Sequence, residues 1–103
     1  MDVAVTQTGT TATAVTANGA VGLITCVSST LAALTAVTFT VNNTGTDADS
    51  FVKAGIVNYS GANGTPNVRC NNPVAGTSFD IIVTNTHATV ALNGILKIGF
   101  ELL

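Results

Sequence analysis

Apolar and polar residues alternate with a period of two along most of this chain. The pattern is clearest in residues 74–103, VAGTSFDIIVTNTHATVALNGILKIGFELL. Over 95–102, Leu96, Ile98, Phe100 and Leu102 fall on one side. Ile95, Lys97, Gly99 and Glu101 fall on the other. Successive side chains of a strand point to opposite faces, so this is a strand with one apolar and one wettable face. Residues 79–84 repeat the pattern, with Phe79, Ile81 and Val83 against Asp80, Ile82 and Thr84. Between the two runs lie Asn85, Thr86 and His87, then Asn93-Gly94, which is turn chemistry. The two strands read as a terminal hairpin.

The same period marks six further strands upstream. Residues 3–8 place Val3, Val5 and Gln7 on one face, and Gly9 ends the run. Residues 11–17 alternate small side chains and lead into Asn18-Gly19, a strong hairpin signal. In 21–27, Val21, Leu23, Thr25 and Val27 oppose Gly22, Ile24 and Cys26, so both faces are fairly apolar, as suits a strand covered on both sides. Leu31 to Leu34 could form a single helical turn, too short for a stable helix. Val37, Phe39 and Val41 alternate with Thr38, Thr40 and Asn42. Residues 43–49 are a polar loop. Residues 51–59 place Val52, Ala54 and Ile56 opposite Phe51, Lys53, Gly55 and Val57. Residues 60–66 form a turn, 67–71 a brief strand with Val68 and Cys70 inward, and Asn72-Pro73 a turn into the final pair.

The prediction is one all-β domain over 1–103: a jelly-roll-like β-sandwich of about eight antiparallel strands. Residues 1–17 are a candidate arm or exchanged strand. A chain of 103 residues holds one core.

Composition changes the picture in one respect. Only 8% of residues are charged, where about 25% is usual, and residues 3–46 carry no charge at all. Net charge is −2, and Lys53, Arg69 and Lys97 are scattered. That argues against nucleic acid, whose phosphates need clustered cations. Little charge on a small body favours association with copies of itself or with another protein. The uncharged stretch 20–41 is interrupted by Thr, Ser and Gly, lacks basic flanks and ends in strand alternation, so no membrane span is expected. Asp2 stands where a leader peptide would carry basic residues, so no leader is expected.

Side chains with chemistry are few. Cys26 and Cys70 are the only cysteines. They read as small buried hydrophobes, with a disulfide left open because sequence does not give their separation. His87 is the only histidine, and no nucleophile motif accompanies it. Asp47 and Asp49 lack the rest of a calcium-loop pattern. Asp80 and Glu101 would serve a glycosidase only if brought together across a cleft. Gly61, Gly64 and Gly76 read as turn glycines. Tyr59 is a candidate recognition aromatic beside a loop. No catalytic, cofactor-binding or metal residue is assigned, and an enzyme is not expected.

The order VNNTG, FVKAGIVNYSGANGTPNVRC, AGTSFDIIVTNTH and ALNGILKIGFELL resembles small jelly-roll or β-sandwich virion proteins of tailed bacteriophages. Its most specific parts are Ala75 to Phe79 and Ala91 to Gly94, and it spans residues 37–103. The resemblance implies a structural protein of the virion that cements or decorates the capsid surface. The partner would be the major capsid protein, and the protein a homo-oligomer, a trimer before a dimer. The alternative implied is the receptor-binding tip or knob of a phage fibre. The uncharged residues 3–46 are the candidate capsid-facing or subunit-facing surface.

Overall fold

The computed structural model describes residues 2–47 and 51–103. It contains eight strands: β1 Val3–Thr6, β2 Val15–Thr16, β3 Val21–Thr25, β4 Ala36–Asn42, β5 Val52–Tyr59, β6 Pro66–Val74, β7 Ser78–Asn85 and β8 Leu96–Leu102. No helix occurs among the described residues. Leu31 to Leu34 runs instead into a turn that ends with Leu34 at φ 57°.

The strands make a sandwich of two four-stranded sheets. One has the order β1-β3-β8-β5, the other β2-β4-β7-β6. Inward side chains follow the alternation in the sequence. Ile24, Leu96, Ile98 and Phe100 of the first sheet meet Val15, Phe39, Val41, Phe79, Ile81 and Val83 of the second. Phe79 and Phe100 touch across the core, with ring centroids 5.3 Å apart and planes tilted by 58°. That tilt is a favourable aromatic arrangement. Ile82 is the outward residue that breaks the pattern. It is 8% exposed, flanked in register by Thr38 and Arg69.

Connectivity differs from the expectation in four places. First, the sheets are not wholly antiparallel: β1 runs parallel to β3, and β2 parallel to β4. The chain changes sheet at nearly every connection, so a strand returns to its own sheet pointing the same way, and hairpins are replaced by crossovers. Second, Asn18-Gly19 is such a crossover between sheets. Asn18 Oδ1 accepts the Thr44 N–H at 2.9 Å, and Asp2 Oδ2 accepts from Ala20 and Val21. Third, β7 and β8 are not a hairpin. They lie in opposite sheets, each as a central strand, and pack face to face. Alternation reads the same for strands joined edge to edge and for strands stacked across a core. Fourth, Asn72-Pro73 is a bulge within β6, with Asn72 at φ 52°. The turn comes later, at Ala75 to Thr77, where Gly76 takes φ 66°. This β6–β7 connection is the one hairpin between successive described strands. The run 11–17 also shrinks to Val15–Thr16, because Thr10 and Thr13 close a turn, with Thr13 N–H donating to Thr10 O at 3.2 Å.

Candidate functional site

Three buried side-chain amides hold the loops at the two ends of the sandwich. Gln7 is 3% exposed. Its Nε2 donates to Thr11 O and Thr13 O, and its Oε1 accepts from Val27 N–H. Asn43 donates to Ala17 O and Gly19 O and accepts from Gly45 N–H. Asn85 is fully buried. It donates to Leu31 O and Val90 O and accepts from Thr65 and His87 N–H. Each amide satisfies backbone groups that no strand ladder reaches, which is the condition for burying them. Sequence reading placed Gln7 on one face with Val3 and Val5 but took Asn43 and Asn85 as loop and turn residues. Only the crossing of chains at the sheet ends shows their role.

The residues singled out for chemistry are dispersed. Asp80 lies on the outer face of β7, where its Oδ1 accepts the Thr40 hydroxyl at 2.9 Å. Glu101 lies on β8 of the other sheet. The two carboxylates therefore belong to opposite outer faces and share no cleft. His87 Nδ1 accepts the N–H groups of Thr89 at 3.1 Å and Val90 at 3.0 Å, so the imidazole shapes its own loop. The Tyr59 hydroxyl donates to Asn63 O and accepts from Asn93 N–H at 2.8 Å. It pins the 60–65 loop to the loop before β8, and that polar handle is spent inside the protein. Gly64 takes φ 80°, and Gly61 lies directly under the Gly94 backbone, with no room for a side chain on either. Asp47 borders an open hollow with Gly19, Ala20, Asn43 and Leu103, while Asp49 lies outside the described residues. Among the described residues no group of three or more His, Cys, Asp or Glu side chains comes together.

Cys26 and Cys70 are free thiols, one after β3 and one in β6, and both line the core. Burial pushes each thiol up to about 11 from its ordinary 9.0, which keeps it protonated and unreactive. Beside Cys26, among Gln7, Phe39 and Leu96, is a void of about 10 Å³, room for a water at most.

What the molecule presents is surface. Strands β1 to β4 occupy one lateral side of both sheets, and β5 to β8 the other. Lys53, Arg69, Asp80, Lys97 and Glu101 all fall on the second side. The first side therefore carries no charge on any strand, and its outward positions are neutral: Ala4, Thr6, Thr16 and Thr38 are exposed, and Val21, Leu23 and Thr25 half-buried. On the charged side the outer face of the first sheet has a gap. Gly55 of β5 pairs with Gly99 of β8, leaving a trough of about 280 Å³ bordered by Val21, Lys53 and Glu101. At the end of that sheet Phe51 and Leu103 are 65% and 67% exposed, joined by a hydrogen bond from Leu103 N–H to Phe51 O.

No family model, curated protein or solved structure matched this chain.

Proposed function

We propose that this protein is a structural component of a phage virion, a cement or decoration subunit that binds the assembled capsid surface and stabilises it. The observation that carries this reading is the lateral side built by β1 to β4, none of whose strands carries a charge and where Asp2 stands as an acid at the end of β1. Covering a charged surface costs desolvation that pairing seldom recovers in full, whereas neutral hydroxyl and methyl groups are covered cheaply. Apolar area removed from water contributes about 25 cal/mol per Å², less the cost of association. A lattice repeats a modest contact many times, so a weak interface per subunit suffices. The jelly-roll resemblance of residues 37–103 supports the same reading. The major capsid protein is the partner it names.

The test uses capsids assembled without this protein. Adding it should raise the temperature at which the shells rupture, and it should sediment with them. Thr16→Lys and Thr38→Lys place charges at exposed outward positions of the neutral side. Both variants should fold and melt as the parent does, yet bind the shells at least about tenfold more weakly. Failure to bind shells at saturating concentration, or unchanged binding by the charged variants, refutes this role.

A further inference from the structure

The four sheet edges are not equally protected. At one side of the sandwich, β1 and β2 are only four and two residues long. At the other, β6 carries Pro66, Pro73 and a bulge. These are ordinary devices that stop a sheet from recruiting another strand. Strand β5 is eight residues long, lacks proline and pairs regularly with β8 from Val52 to Ile56 before its own bulge. Its main-chain groups can be assigned to sides. Phe51 O accepts from Leu103 N–H, so Phe51 faces β8, and alternation turns the N–H and C=O groups of Val52, Ala54 and Ile56 to the free side. Strand β6 approaches from the other sheet, but among the described residues no main-chain hydrogen bond joins it to β5.

We propose that this edge is a self-recognition site, where a second copy of the chain pairs antiparallel along β5 about a twofold axis through Ala54. That register sets Val52 opposite the partner's Ile56, Lys53 opposite the partner's Gly55, and Ala54 opposite the partner's Ala54. Val52, Ala54 and Ile56 then exchange both main-chain bonds with their opposites. The side chains select this axis over its neighbours. An axis through Lys53 opposes two ammonium groups. An axis through Gly55 runs the ladder into the bulge at Val57. With the axis at Ala54, each Lys53 meets a position that has no side chain. Its stem lies in the partner's Gly55–Gly99 trough, and its ammonium comes near the partner's Glu101 on the trough wall. On the inner face Ile56, 36% exposed in the single chain, is covered by the partner's Val52. The contact is isologous, so it closes on itself as a dimer and leaves no new edge. It gives an eight-stranded sheet across two copies. As the self-contact of a structural subunit it rests on the reading above. The mass and shell-binding assays fail independently.

The experiment measures mass by sedimentation over a concentration series of the full chain, with amide exchange read at Val52, Ala54 and Ile56. A dimer should form at high concentration with those three amides protected. On dilution it should dissociate and the amides should exchange freely. A β carbon at Gly55 meets nothing within 4 Å and opens onto the trough, so the single chain should tolerate substitution there, checked by an unchanged denaturant midpoint. Gly55→Lys opposes the partner's Lys53 twice per dimer and should weaken dimerisation about tenfold or more. Gly55→Glu supplies a counter-charge at the same place and should dimerise at least as tightly as the parent. A chain that stays monomeric up to its solubility limit, a trimer, or a dimer indifferent to Gly55→Lys overturns the proposal.

Discussion

At the scale of single residues, Gly22 shows how tightly neighbouring strands of one sheet are fitted. It takes no unusual backbone angle, so conformational freedom does not explain it. Its place does: the Phe100 ring lies over its α carbon, with Val3 close on the other side. A methyl group there would collide with the ring. Gly22→Ala should therefore destabilise by about 1–3 kcal/mol, read from the denaturant midpoint. Gly55→Ala, which meets nothing, should stay within about 0.5 kcal/mol of the parent. The thiols make a second case. The unfolded chain loses its thiol protons near 9.0, and the folded chain holds them to about 11. Between those values the unfolded chain binds fewer protons, so stability is complete below pH 9 and falls as pH rises towards 11. A Cys26→Ala, Cys70→Ala double variant should show a shallower fall in urea titrations over that range. Iodoacetamide at pH 8 should label both thiols in urea and neither promptly in the native protein.

Among elements, what could be read in advance was the inside and outside of the clearly alternating strands, though not of β3, which reads as covered on both faces and buries only Gly22 and Ile24. Val52, Ala54 and Ile56 against Lys53 and Gly55, and Leu96, Ile98 and Phe100 against Lys97 and Glu101, lie as the alternation puts them. A period of two reports a face because burial acts on every second side chain. It carries no information on which strand lies beside which. That is why Asn18-Gly19 looked like a hairpin and proves to be a crossover, and why β7 and β8 looked edge-paired and prove to be stacked. The β6–β7 hairpin escaped for a different reason. Proline was read as the end of a strand, whereas at a sheet edge Pro73 removes only a donor that no neighbour needed. The neutral side was half visible. The run without charge is plain in the sequence, but its gathering onto one side depends on β1 and β3 sharing one sheet while β2 and β4 share the other. The open edge at β5 was not visible at all, since an edge is defined by a neighbour that is missing.

Across the whole molecule, the two sheets are built to one plan. Three strands run in one direction, β1, β3 and β5 in one sheet and β2, β4 and β6 in the other. A single opposing strand is inserted between the second and third of each, β8 and β7 respectively. Among the described residues only β8, the last of the eight strands in sequence order, joins β3 to β5. While the polypeptide is being made, the first sheet therefore stays in two pieces, and β5 has no ladder partner until Leu96–Leu102 emerges. A chain cut before Leu96 should remain unfolded by circular dichroism and be cleared by proteases, though it holds over nine-tenths of its residues. Folding of the first sheet is thus conditional on β8: a copy without it has no formed β5 edge.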